Sequence, residues 1–203
     1  MPNSKIIIGI LGAPCSGKTT IAAQFARLGC AVIDADKIAH ELLETDSIKK
    51  KVQNEFGKGV FNSQGQINRQ KLSDHVFKNY DSVEKINKII HPLVLTRCKN
   101  LIADYNNQTK IKAIVLDIPL LAEVGWQKKS DKLVFVECNE NIRTQRMAKK
   151  EGFFKKEKKK LEKFQISLDK KQKIADYTIS NNSDMPATAE QVARLFTSII
   201  NNC

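Results

Sequence analysis

The chain has 203 residues, 41% of them hydrophobic, which is enough for one packed core plus an accessory subdomain and argues against disorder. Its formal net charge of +12 raises nucleic-acid binding as a function class; eleven lysines against four acids fall between Lys149 and Lys173, however, and Lys155-Lys156-Glu157-Lys158-Lys159-Lys160 reads as a solvated helix face without interleaved aromatics. No apolar stretch approaches the roughly 18 residues that cross a bilayer, and the five scattered cysteines form no C-x-x-C pair, so the expectation is a cytoplasmic protein with reduced thiols, no zinc site and no membrane contact.

In chain order, Ile6-Ile7-Ile8-Gly9-Ile10-Leu11 predicts a buried strand. Residues Gly12 to Thr19 then spell G-x-x-x-x-G-K-[ST], and Thr20 to Phe25 follow with helical character as far as Leu28, where Gly29 predicts the stop. A second strand, Ala31-Val32-Ile33, ends in Asp34-Ala35-Asp36. From Lys37 to about Asn100 the pattern is helical and polar-faced, interrupted by the turn-rich stretch from Phe56 to Gly65. Helices are expected over about Gln70 to Phe77 and over Ser82 to Ile90, the latter reaching His91-Pro92. The apolar run Ala113 to Leu121 predicts a third strand carrying Asp117 near its end, followed by strands at Leu133 to Cys138 and Tyr177 to Ser180. Helices are expected at Glu140 to Lys150, near 155–173 and at Ala187 to Ile200. Strands alternating with helices imply a parallel α/β sheet covered on both faces, with ligands beyond the strands' C-terminal ends.

The Gly-rich segment is a phosphate-binding loop in the right setting, because a strand delivers the chain and a helix N-terminus receives the anion. The candidate ATP-binding residues are Gly12, Cys15, Ser16, Gly17, Lys18, Thr19 and Thr20. Lys18 is expected to bridge the β- and γ-phosphates and Thr19 to ligate Mg²⁺, with Asp34 or Asp117 supporting the metal through water. Asp34 and Asp36 follow the strand at period two and point the same way if the extended conformation continues. One of them then orients the acceptor hydroxyl or takes its proton, and the other supports the metal. Arg143 and Arg146 supply planar forks suited to a phosphoryl group, with solvated helix charges as the alternative. The lysine-rich segment also admits a reading as a lid over ATP.

With these residues in hand, the chain resembles the dephospho-CoA kinases, P-loop enzymes that phosphorylate the ribose 3′-hydroxyl of dephospho-CoA with ATP in the final step of coenzyme A biosynthesis. The likeness runs from about Ile6 to Asn182. It rests on the phosphate loop, Val32-Ile33-Asp34-Ala35-Asp36, Phe56-Gly57 with Ile67-Asn68-Arg69, Ile90-His91-Pro92, Asp117-Ile118-Pro119-Leu120-Leu121 with Glu123, and later Arg146, Gln165, Lys171 and Ile179-Ser180-Asn181. The resemblance implies a single P-loop kinase domain with core 1–36 and 110–203, a helical acceptor-binding insertion at about 37–100 and a helical lid at about 148–173. It implies Asp36 as the catalytic carboxylate, with Asp34 second, and Lys18 and Arg146 as stabilisers of the transferring phosphoryl group. Arg69, His91 and Pro92 would belong to the acceptor-binding subdomain, Leu120 and Leu121 would shape the acceptor pocket, and Asn181 would lie near adenine.

The sequence departs from the family pattern in Ala13-Pro14-Cys15, a loop wording closer to adenylate-kinase-like enzymes, and in Leu161, where the family tends to carry arginine. The partners implied are ATP, Mg²⁺ and dephospho-CoA, in a monomer or weak homo-oligomer without specific nucleic acid. Rival readings are another small-molecule kinase, such as a nucleoside monophosphate kinase, and a nucleotide-dependent nucleic-acid-binding module.

Overall fold

The computed structural model describes residues 4–149 and 165–201. Two compact units emerge: one comprises 1–34 and 101–203, the other 35–100.

The first unit is built on five parallel strands, β1 (Ile7–Gly12), β2 (Ala31–Asp34), β3 (Ile114–Asp117), β4 (Lys132–Glu137) and β5 (Tyr177–Ser180), in the order β2-β3-β1-β4-β5. Burial explains why β1 and β3 read as unbroken apolar runs. Ile8, Ile10, Ala113, Val115, Val134 and Val136 point to one face, where they pack with Ile21, Phe25, Val192, Phe196 and Ile199. The alternate residues Leu11, Leu116, Leu133 and Phe135 are buried on the opposite side.

Helix α1 (Lys18–Arg27) and the C-terminal helix supply the first of these layers; Phe25 and Phe196 meet edge to face at 6.0 Å. The end of α1 is fixed by two bonds, Gly29 N–H to Ala26 O at 3.0 Å and Cys30 N–H to Phe25 O at 3.2 Å. That pattern is a Schellman stop, and Cys30 and Phe25 close it with a buried apolar contact.

The second unit is helical: α2 (Ala35–Leu43), α3 (Asp46–Phe56), α4 (Arg69–Val76) and most of α5 (Tyr80–Asn106). Asn68 caps α4 by accepting the Lys71 N–H at 3.0 Å, and Asn79 accepts the Ser82 N–H at 2.8 Å at the start of α5. Between α3 and α4 the turn-rich stretch closes on itself through the bridge Phe61–Ile67 and the Asn62 side chain, which accepts from Gln64 and Gln66.

Helices α6 (Glu140–Ala148), α7 (Leu168–Lys173) and α8 (Met185–Asn201) complete the described chain.

Two expectations need correction. The helix expected to end at His91-Pro92 runs on through Pro92 to Asn106. Proline removes one N–H from the ladder, but Pro92 is solvent-exposed, so water can take the carbonyl it leaves. The third strand stops at Asp117; Ile118 to Gly125 form turns, with Leu121 N–H to Ile118 O at 3.1 Å and Val124 N–H to Leu120 O at 2.9 Å. The turn buries Ile118 and Leu121, which extend the apolar run of the strand before it.

Candidate active site

The phosphate loop connects β1 to α1 inside the first unit. Its backbone turns on a left-handed pair, Cys15 at φ 59° and Gly17 at φ 97°. Alternation of this kind builds anion-binding nests. For Cys15, which has a Cβ, the conformation costs about 1–2 kcal/mol, and nothing in its residue type signalled it. Gly12 is required by space: a Cβ there would stand 2.8 Å from Ser16 Oγ and 2.9 Å from Val136 O.

The Ser16 N–H is used by the loop itself, donating to Ala13 O at 3.2 Å, and the first bond along α1 is Ile21 N–H to Gly17 O at 3.0 Å. The Lys18, Thr19 and Thr20 N–H groups therefore lack intrahelical acceptors and sit at the positive end of the helix dipole. Lys18 folds over the loop, its Nζ donating to Ala13 O at 2.9 Å and Gly12 O at 3.2 Å.

Beside the loop, the Thr19 hydroxyl bonds the carboxylate of Asp117, which is 5% exposed at the end of β3. Burial raises the Asp117 pKa above its ordinary value, against the Thr19 hydrogen bond and the Lys18 charge, while neighbouring Asp34 pushes it further up. Asp34 and Asp117 are register partners at the ends of β2 and β3. One hydroxyl and two adjacent carboxylates are hard oxygen donors, a set suited to Mg²⁺, which keeps several waters and takes one or two carboxylates.

Opposite Thr19, the loop is held from behind. The Asn181 amide donates to Ser16 O at 2.7 Å, and Arg146 donates to the same oxygen at 3.2 Å and to Asn181 O at 3.1 Å. Arg146 also donates to Cys138 Sγ at 3.4 Å. Arg143, for which a solvated helix charge stood as the alternative, is buried at 7% exposure, because it lies on the inward face of α6 with Met147. Burial raises the Cys138 thiol pKa, and the two guanidinium charges pull it back. Of the two leucines expected to shape an acceptor pocket, Leu121 is a core residue at 1% exposure and Leu120 stays partly open.

The period-two argument for Asp34 and Asp36 fails. The strand ends at Asp34 and α2 begins at Ala35, so Asp36 lies exposed in the first turn of a helix of the second unit. Arg69 opens α4 in that unit and reaches Glu44 at 3.9 Å. His91 and Pro92 lie in α5, and half-burial lowers the His91 pKa.

Lys171, Gln165 and Glu123, three of the residues that carry the family resemblance, are brought together by the structure: Lys171 is 1% exposed, paired with Glu123 at 3.0 Å and bonded to Gln165 at 2.9 Å, while Glu123 also accepts the Ile166 N–H at 3.0 Å. The run Lys155–Lys160, Leu161 and most of the expected lid lie outside the described residues. Within the described residues the four cysteines are free thiols, and no helix is long and apolar enough to cross a membrane.

A five-stranded parallel sheet with this loop at the β1–α1 junction, a lysine over it and a threonine–aspartate pair beside it defines a P-loop kinase. Solved structures agree on the fold: dephospho-CoA kinase from Campylobacter jejuni superposes with a TM-score of 0.66 at 20% identity, covering 97% of this chain and 98% of that one. Shikimate kinase from Acinetobacter baumannii in complex with shikimate gives 0.55 at 18%, covering 98% and 95%. The family model for dephospho-CoA kinase (CoaE) matches residues 6–187. Dephospho-CoA kinases from Fusobacterium nucleatum and Carboxydothermus hydrogenoformans are 35% and 36% identical, covering 94% and 92% of this chain and 97% and 90% of theirs. The chain belongs to the dephospho-CoA kinase family, kinases that phosphorylate dephospho-CoA with ATP in coenzyme A biosynthesis.

Proposed function

We propose that this enzyme transfers the γ-phosphoryl group of ATP to the ribose 3′-hydroxyl of dephospho-CoA, releasing CoA and ADP as the last step of coenzyme A formation in the cytoplasm. The observation that carries this reading is the loop geometry: Lys18 Nζ lies over the Gly12 and Ala13 carbonyls at the mouth of the α1 N-terminus. When the phosphate chain enters, Lys18 exchanges these carbonyls for β- and γ-phosphate oxygens and follows charge onto the bridging oxygen as the Pγ–O bond breaks. The loop and helix amides hold the chain so that the departing ADP lies in line with the acceptor. Thr19, Asp117 and Asp34 would hold Mg²⁺, whose contribution is to neutralise phosphate charge.

Asp36 orients the 3′-hydroxyl and takes its proton as the new O3′–P bond forms, releasing it afterwards to solvent. Asp34 is assigned to the metal, because it is the register partner of Asp117. Arg69, His91 and Pro92, on the helical unit, and Leu120 contact the acceptor. Arg146 keeps positive charge next to Ser16.

The decisive assay incubates the purified protein with MgATP and dephospho-CoA. Equimolar ADP and CoA are expected, with the added phosphate at the 3′ position by NMR. ADP formation with AMP or another nucleotide, and none with dephospho-CoA, would overturn the reading.

A further inference from the structure

We infer that Asn181 is a positioning residue for the phosphate loop: it acts through the Ser16 carbonyl to set affinity for the polyphosphate chain, whatever base that chain carries. The inference rests on the reading of the loop as the nucleotide-phosphate site.

Asn181 follows β5 directly, and its own N–H donates to Glu137 O at 2.9 Å, so the sheet fixes its backbone. Its side chain is 4% exposed and is committed to the loop, donating to Ser16 O at 2.7 Å. Arg146 reaches the same oxygen at 3.2 Å and ties itself to Asn181 O at 3.1 Å, which closes a three-membered network of Ser16, Asn181 and Arg146. A carbonyl oxygen has two lone pairs, and these two donors take both.

Peptide planarity turns this anchor into an aiming device. The Ser16 C=O and the Gly17 N–H belong to one rigid trans plane and point in opposite directions. Holding the oxygen toward Asn181 and Arg146 therefore turns the Gly17 N–H away from them. That amide begins the row that continues into the first turn of α1, at the positive end of the helix dipole.

The sequence of the loop bears the imprint of this contact. Gly17 has φ 97°, and a Cβ on it would collide with Asn181 Nδ2 and approach Arg146 Nη1 at 3.4 Å. The glycine is thus needed both for its backbone conformation and for the space the asparagine fills. The Asn181 amide bonds main chain, Nδ2–H to Ser16 O, which ties the side chain to the loop.

The test compares wild type with Asn181→Ala by calorimetry, using MgATP, MgGTP and magnesium tripolyphosphate as probes. The expected result is a loss of about tenfold in affinity, the size of one buried hydrogen bond, equal for all three probes. Weaker ATP binding with unchanged tripolyphosphate binding would place Asn181 at the base and overturn the inference. Unchanged affinity for all three, with only a lower Tm, would overturn it too, as a purely structural role predicts. If Asn181→Ala does not fold, Arg146→Lys decides, because it keeps the charge and removes the fork. It should weaken the three probes equally and by less, and selective weakening of ATP or no weakening at all would count against the inference. Wild-type protein that binds neither ATP nor tripolyphosphate would sink the reading of the loop itself, a result separate from either outcome for the variants.

Discussion

In the sheet-bearing unit the residues aimed at phosphate are already held by their neighbours, whereas the candidate residues of the helical unit stand mostly on its surface. Lys18 is bonded to two loop carbonyls, Asp117 to Thr19, and Asn181 to Ser16, with Ser16, Asp117 and Asn181 all at 5% exposure or less. Asp36 and Pro92 are exposed, and Arg69 is 55% exposed with a loose partner in Glu44 at 3.9 Å. A phosphate chain is small, rigid in its demands and densely charged, so prearranged dipoles serve it best. An acceptor as long as dephospho-CoA can itself order the side chains it meets.

The largest effect that would sharpen this contrast is expected from Lys18→Met. Loss of the cation from the preorganised loop should lower kcat/KM by about 10³-fold, with Tm near that of wild type because the side chain is not part of the core. Next comes Asp36→Asn, for which a fall in kcat of about 10²-fold or more is expected while KM for ATP stays unchanged. Such a result would show that the exposed unit contributes chemistry and not only affinity. A rate within a few-fold of wild type would transfer the proton to Asp34.

Asp117→Asn probes the cost of preorganisation. The variant keeps an acceptor for Thr19 but loses the charge, so Mg²⁺ dependence should shift by about 10–100-fold. Stability without ligands should move the other way. The folded-state pKa of Asp117 is raised from 3.8 by burial, so the stability favoured by its neutral form is present below that value and is lost as pH rises through the raised pKa. The Tm of Asp117→Asn should therefore exceed that of wild type by a margin that opens as pH climbs from about 4 toward neutrality. A constant margin across that range would remove Asp117 as the titrating group.

The elements legible in the sequence were those specified locally. Strand β1, the loop and α1 follow from an apolar run, two obligatory glycines and a Schellman stop, all within residues 6–30. The rest was hidden where burial or a distant partner decides. Leu120 and Leu121 looked like strand because a turn that buries Ile118 and Leu121 continues the apolar run of the strand. The pairing of Lys171 with Glu123 was not legible because the two are far apart in sequence. Asp34 and Asp36 looked parallel because nothing in Asp34-Ala35-Asp36 marks the switch from strand to helix. The hold of Asn181 on Ser16 joins residues 165 positions apart, a relation no local pattern encodes.

The smallest effect on activity is expected from Pro92→Ala, and it tests the exposed side of the contrast. Proline inside a helix costs about 3 kcal/mol relative to alanine, and it recovers about 0.4–1 kcal/mol by restricting the unfolded chain. Since Pro92 is exposed and α5 continues past it, alanine should restore the bond to Lys88 O and stabilise the protein by about 2 kcal/mol. Thr96 Oγ1, which donates to Pro92 O at 2.9 Å, keeps its acceptor in the variant. If Tm rises and KM for dephospho-CoA rises with it, while KM for ATP holds, then the proline is kept for the path it gives α5 and not for stability. A fall in Tm would mean that packing around α5 requires the local distortion a proline imposes, and the helical unit would then be more strictly shaped than its exposed side chains suggest.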